Sequence, residues 1–228
     1  DQSPRNMLVD ELSAGKTSFQ DAVGNFFRFL RSVPDHWPLS KRVVNIQNFD
    51  NEPVINKLSI NEVLFLMSLM YGLPGAKYYE WGLLNANRTR LGSDFVLPAV
   101  DTEVQKTLKP YTERMIALSA LDIIQKGEMS QFYLTGSYID GYTRRLGDEE
   151  VIVLANVADQ EKWIPLDEIR QSALCGCEIL LKSNDAVRIE NGFLVMPPRT
   201  AAWIHINAEQ SDAAPFGISE AVSSLSAA

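Results

Sequence analysis

The chain has 228 residues, 46% of them hydrophobic and 22% charged, and a formal net charge of −8 from 21 Lys and Arg against 29 Asp and Glu. That length holds one large domain or two small ones around a sizeable core. The acidic balance argues against charge-driven binding to nucleic acid or anionic lipid, and no apolar run approaches the roughly 20 residues of a membrane helix.

The start, Asp1-Gln2-Ser3-Pro4-Arg5, does not read as a signal peptide. Residues 7–12 suit one or two helical turns. A firm helix follows, with Ser18 as N-cap and Asp21 three residues on. Phe19, Ala22, Val23, Phe26, Phe27, Phe29 and Leu30 form its apolar stripe, and Pro34 stops it. His36 lies in the loop 34–38 beside Trp37, where packing is the commoner role.

Residues 43–48 then read as a buried strand through Val43, Val44 and Ile46. It ends in Asn48, Phe49, Asp50 and Asn51, which favour a turn before Pro53. A second helix opens on a Ser59/Glu62 capping box. It is apolar almost all round from Val63 to Met70, as in a helix buried on most sides. Gly72 is placed as its C-cap, and Pro74 bars continuation. Residues 76–82 read as a short strand closed by glycine, and 85–90 as a loop. Helix, strand, helix, strand with short joints implies parallel strands, and two such strands need neighbours. A third helix runs over 101–125, capped at Asp101 or Thr102, with Pro110 expected to kink or split it.

Beyond Gly127 the period changes to two. Eight short stretches at 130–135, 138–145, 151–156, 162–166, 177–181, 186–189, 193–196 and 201–206 alternate with turn residues, predicting an antiparallel sandwich. Asn191-Gly192 is a type I′ hairpin signal. Residues 208–228 are small and polar, and read as a loosely held, flexible tail. Cys175 and Cys177 would point to opposite faces of a strand, so free thiols are expected, at least one of them buried. A metal site would need ligands beyond these two and the only histidines, His36 and His205; neither metal nor cofactor is expected.

Three stretches together resemble the C-terminal part of the α-amylase family, glycoside hydrolase family thirteen. Ile46-Gln47-Asn48-Phe49-Asp50-Asn51 is similar to the motif ending the family's seventh barrel strand, typically an acid followed by Asn-His-Asp. Leu73-Pro74-Gly75 and Tyr78-Tyr79-Glu80-Trp81-Gly82 resemble the joint and eighth strand that follow. Asn191-Gly192-Phe193 through Pro197-Pro198 to Trp203 resembles the closing hairpin of the family's β-domain. The resemblance covers about 45–206. It implies an α/β plus all-β chain: the last strands and helices of a TIM-type (β/α)8 barrel over 1–126, then an antiparallel β-sandwich over 127–207.

The resemblance also implies a function. Asp50 falls on a catalytic position, as the carboxylate that holds sugar hydroxyls and stabilises an oxocarbenium-like transition state. Asn48, Phe49, Tyr79 and Trp81 fall on substrate-binding positions, and aromatic faces suit sugar rings. Phe49 stands where the family usually has histidine, and Gln47 where an acid is common. The family's nucleophilic aspartate and acid/base glutamate belong to its fourth and fifth strands, upstream of anything in this sequence. Retaining cleavage needs both, about 5–5.5 Å apart. The expectation is therefore part of an enzyme acting on an α-glucan or maltooligosaccharide, inactive alone and completed by the N-terminal remainder of the barrel, covalent or docked. The alternative is a non-catalytic amylase-like scaffold or sugar-binding module. Glu80 is expected to be structural, and Glu52 a poor catalytic partner.

Overall fold

A computed structural model of the protein describes residues 5–32, 42–48, 52–89, 99–134, 137–169 and 176–207. The loop carrying His36 and Trp37, the triplet Phe49-Asp50-Asn51, Cys175 and the segment 208–228 lie outside the described residues. A π-helical segment Asn6–Asp10 and one turn, α1 (Glu11–Ser13), lead into α2 (Phe19–Ser32). The α2 cap forms as its sequence predicts: Ser18 Oγ accepts from the Asp21 N–H at 3.1 Å and donates to the Asp21 carboxylate at 2.6 Å. The stripe from Phe19 to Leu30 is buried except for Phe29, which is half-buried against the same core.

Two short strands, β1 (Val43–Val44) and β2 (Ala76–Lys77), pair in parallel. Between them run a 3₁₀ turn, Val54–Asn56, and α3 (Ile60–Tyr71). The result is one β-α-β unit. Both strands are shorter than their apolar runs predict, two residues each rather than 43–48 and 76–82. A strand lasts only while backbone partners line up beside it. After the Tyr78 N–H reaches the Val44 carbonyl at 2.9 Å, side chains take over the linking. Residues 81–84 are helical rather than extended, forming α4 (Trp81–Leu84).

The third predicted helix is divided, but not at Pro110. α5 (Thr102–Ser119) passes through Pro110, and the break falls at Ala120-Leu121, before α6 (Asp122–Lys126). Proline removes one N–H, so only the Lys106 carbonyl loses its intrahelical donor. The Asp101 carboxylate caps α5 by accepting from the N–H groups of Glu103 and Val104.

All eight predicted strand stretches form strands. They are β3 (Glu128–Leu134), β4 (Ile139–Leu146), β5 (Glu149–Asn156), β6 (Lys162–Pro165), β7 (Gly176–Lys182), β8 (Arg188–Glu190), β9 (Phe193–Met196) and β10 (Thr200–Asn207). One turn, α7 (Leu166–Ile169), follows β6. A five-stranded antiparallel sheet has the order β3-β4-β5-β10-β7, and a three-stranded one the order β6-β9-β8. Asn191 and Gly192 take φ of 50° and 82°, as a type I′ turn requires. Cys177 lies half-buried on β7.

Strand alternation gives the large sheet two buried faces. Ile152, Leu154, Ala202, Ile204 and Ile206 pack with Ile164, Leu194 and Met196 of the small sheet. Tyr142, Val153, Ala155, Ala201 and Trp203 face the other way, in one apolar cluster with α2, α3 and α5. The chain is therefore layered as helices, large sheet, small sheet.

Hydrogen bonds fasten the first two layers. A helix leaves its last four carbonyls without intrahelical partners. At the end of α3 the N–H groups of Gly72 and Leu73 both turn to Met70 O. The Ser68 carbonyl instead accepts from Trp203 Nε1 at 2.9 Å, and the Leu69 carbonyl from the Tyr142 hydroxyl at 2.6 Å. Arg144, fully buried on β4, donates to the Ile124 carbonyl of α6 at 2.8 Å, and Arg114 of α5 to the Leu180 carbonyl of β7 at 2.6 Å. Gly72 is needed for space rather than for a left-handed backbone, since its φ is −77°. A Cβ there would run into the Tyr142 hydroxyl and come within 2.9 Å of Val153 and 3.2 Å of Trp203.

Two stability predictions follow from this layer. Tyr142→Phe leaves the buried Leu69 carbonyl unpaired and is expected to destabilise by about 1–3 kcal/mol in denaturant titrations. Gly72→Ala is expected to cost about as much through overpacking, but less in the Tyr142→Phe background, because the atom nearest the new methyl is gone. Non-interacting, additive effects would refute the close approach. The second concerns alkali. Burial raises the hydroxyl pKa of Tyr71, Tyr111 and Tyr142 above the ordinary 10.0. The unfolded chain thus releases these protons first, and stability present below pH 10 drains as pH rises beyond it. Lys77, pushed down to about 8 by burial and by nearby Arg144, acts in the opposite sense between pH 8 and 10.5. Thermal unfolding across pH 8–12 is expected to show Tm holding or rising to about pH 10 and falling steeply above it.

Candidate functional site

The C-terminal ends of β1 and β2 converge, and the predicted site residues follow them. Asn48 is half-buried directly before the triplet that contains Phe49 and Asp50, so those two assignments fall outside the described residues. Tyr79 and Trp81 follow β2. Tyr79 is half-buried. Its ring stacks on Tyr71 with centroids 4.8 Å apart, and its hydroxyl bonds the Ser119 hydroxyl of α5. Burial raises its pKa. Its ring face and its polar end are therefore both engaged in packing. Trp81 opens α4 and is 52% exposed.

The centre of this end is a pair that sequence reading left unassembled. Gln47 and Glu80 are both buried, and Gln47 Nε2 donates to Glu80 Oε2 at 2.7 Å. The other end of the same amide, Gln47 Oε1, accepts from the Val54 N–H at 2.9 Å. Glu80 Oε2 also accepts from the Leu83 N–H at 2.7 Å, which makes Glu80 the N-cap of α4. One side chain thus ties the end of β1 to the end of β2 and spans the segment around Asp50 from residue 47 to residue 54. Gly82 completes the fit, because a Cβ there would come within 2.7 Å of the Glu80 carboxyl.

This arrangement gives Glu80 the structural role expected of it. Glu52 is exposed and accepts from Asn56 Nδ2 at 2.7 Å. Arg88 is committed within the chain: it pairs with Asp101 at 2.7 Å and donates to the Ile55 carbonyl at 2.8 Å. A cleft of about 820 Å³ runs between α3, α5 and β7, past Lys106, Arg114 and Lys182, and touches none of the predicted site residues among those described, Asn48, Tyr79 and Trp81. Among the described residues, no group of three or more His, Cys, Asp and Glu is placed to hold a metal ion, and no helix is long and apolar enough to cross a membrane.

Glutamate is not among the residues that mark an N-cap in sequence, and the four-residue helix Trp81–Leu84 offers too few residues for periodicity to show. The Gln47–Glu80 contact joins residues 33 apart, and nothing local announces it.

Comparisons with known proteins reveal a likeness of fold. An α-amylase from Anoxybacillus superposes with a TM-score of 0.61 at 15% identity, over 92% of this chain and 51% of that one. An α-amylase from Geobacillus thermoleovorans, solved with acarbose, gives 0.58 at 17% identity, over 92% and 52%. The cyclic α-maltosyl-(1→6)-maltose hydrolase of Arthrobacter globiformis, in complex with that cyclic sugar, gives 0.60 at 13% identity, over 89% and 43%. The chain spans about half the length of the structures it matches. No family model and no curated protein sequence matches it.

The buried pair can be tested directly. Gln47→Glu would set a second carboxyl against Glu80, and two carboxyls at that separation cannot both ionise cheaply. One then holds its proton above the ordinary glutamate range, so the variant is most stable at low pH and loses stability as pH rises through that raised value. Chemical denaturation is expected to find it weaker than the parent by about 2 kcal/mol or more at pH 8, with the gap narrowing by pH 5. An equal gap at both pH values would contradict the contact.

Proposed function

We propose that the chain is the C-terminal portion of an α-amylase-family enzyme, with residues 1–126 closing a (β/α)8 barrel and 127–207 forming its β-domain. In this reading it takes part in retaining cleavage or transfer of α-glucosidic bonds in an α-glucan or maltooligosaccharide. The observation that carries it is the likeness of fold to amylases over nine-tenths of this chain and about half of theirs. The order of elements agrees: a β-α-β unit with a polar strand end, two further helices, then two antiparallel sheets.

In this function Asp50, just past β1, holds sugar hydroxyls and stabilises positive charge as it develops at the anomeric carbon. Asn48, Phe49 and Trp81 flank the substrate, the exposed Trp81 offering a ring face for stacking, while Tyr79, engaged by Tyr71 and Ser119, backs the site from behind. Gln47 and Glu80 hold the two strand ends that carry these groups. The nucleophile and the acid/base come from the N-terminal remainder of the barrel, which also pairs with the outer edges of β1 and β2. Phe49 and the commitment of the Gln47 amide to Glu80 and Val54 favour one alternative, a barrel end that binds sugar without turning it over.

The purified 228-residue chain is expected to release no reducing sugar from starch or maltooligosaccharides. In the chain joined to its N-terminal remainder, Asp50→Asn is expected to lower kcat by several orders of magnitude with the fold intact. Turnover by the short chain, or a near-parental rate for Asp50→Asn, would overturn the assignment. Acarbose binding without turnover by the joined chain would establish the scaffold alternative.

A further inference from the structure

The outer face of the small sheet holds a built surface that the proposed active end does not use. Ile164, Leu194 and Met196 point inward to the large sheet, so Trp163, Arg188, Phe193 and Val195 stand on the outer face. Val195 pairs in register with both Trp163 and Arg188 and is wholly buried, although it belongs to neither apolar cluster. Trp163 itself remains 48% exposed.

This tryptophan is held in place. Its Nε1 donates to Glu161 Oε1 at 2.8 Å. Phe193 meets it edge-on at 67°, with centroids 6.0 Å apart, and the Arg188 guanidinium carbon lies 5.7 Å from the ring centre. Arg188 is fixed in turn by Glu190, 2.7 Å from its Nε, and lies 3.9 Å from Glu161. The ordering entropy of a large ring and a long cation has thus been spent in the folded chain, which favours a ligand that needs a rigid platform.

We propose that this face is a second carbohydrate-binding site, with Trp163 as the stacking platform for a glucose unit and Arg188, Glu161 and Glu190 as its hydroxyl partners. A pyranose presents an apolar C–H face to an aromatic ring and vicinal hydroxyls at its rim. A guanidinium and carboxylates are forked groups that meet such hydroxyl pairs two at a time. The charge selects further. One cation against two carboxylates repels nucleic acid and anionic lipid and suits a neutral polyhydroxylated ligand. One exposed ring within a charged rim is also far short of the ~800 Å² per partner of a stable protein interface.

The choice of a glucose-built ligand rests on the function proposed above, while the platform rests on its own geometry. The test titrates the intact chain with maltoheptaose by calorimetry and follows the Trp163 indole N–H by NMR. Trp163→Ala is expected to weaken binding about tenfold or more, as loss of a ring face should, while Trp163→Phe retains most of it. Thermal unfolding serves as the control for folding. Loss of binding in Trp163→Ala with no effect of Trp81→Ala supports the site even if the barrel reading fails. Binding that depends on Trp81 and ignores Trp163 overturns it and leaves the barrel reading standing. Absence of any maltoheptaose binding at millimolar sugar, or a dimer that Trp163→Ala dissociates without a sugar effect, also overturns it.

Discussion

Two carbonyls at the end of α3, those of Ser68 and Leu69, decide how the rest of the molecule is assembled. A buried helix end with unpaired carbonyls costs about as much as the hydrogen bonds it lacks. Water cannot reach this one, because α3 is buried on almost every side. The missing donors come from the large sheet, as the indole N–H of Trp203 and the hydroxyl of Tyr142. Each is an aromatic with one polar atom, so each fills core volume and closes a hydrogen bond in the same place. The bonds also fix distance. They draw the sheet so close that residue 72 has room for glycine alone. Helices and sheet consequently share one continuous apolar cluster.

The same economy of partners shapes the strand ends. Two parallel strands of two residues supply little backbone pairing, and the chain compensates with a buried amide set against a buried carboxyl. Gln47 satisfies three elements at once: the end of β1, the end of β2 and the turn beginning at Val54. In the family pattern that the sequence resembles, this position is often acidic. With Glu80 already present, an amide is the better neighbour, since it can donate where a second carboxylate would only repel. The departure from the pattern thus has a local physical reason, independent of any effect on catalysis.

Much of this was legible from the residues. Ser18 with Asp21 and Ser59 with Glu62 mark helix starts by short-range chemistry, and both caps form. Alternation of period two located every strand from β3 to β10, and Asn191-Gly192 located a turn, because in both cases neighbouring residues carry the signal. The features that stayed hidden depend on groups far away in the chain. The length of β1 and β2 is set by what lies beside them rather than by Val43 or Tyr78. Pro110 does not end α5, because the packing of Leu108 and Met115 on either side outweighs one lost hydrogen bond. Gly72 looked like a conformational cap and is instead a steric necessity imposed by residues 70 to 131 positions later. At the proposed site the residue types Asn48, Asp50, Tyr79 and Trp81 were visible. The engagement of Tyr79 with Tyr71 and Ser119 was not.

The order of the large sheet bears on how the chain can be made. β10 is the last of the described strands in sequence, yet it sits in the interior of the sheet, between β5 and β7. It also carries Trp203. During synthesis from the N-terminus, β5 and β7 are complete while the slot between them is still empty. The end of α3 meanwhile waits for one of its two donors. The emerging chain must hold an open seam until about residue 207 is available, and such a seam exposes unpaired strand edges. Closure is therefore a late, long-range event that finishes both cores together. A nascent chain stalled before Thr200 would lack the middle of its sheet rather than an expendable edge.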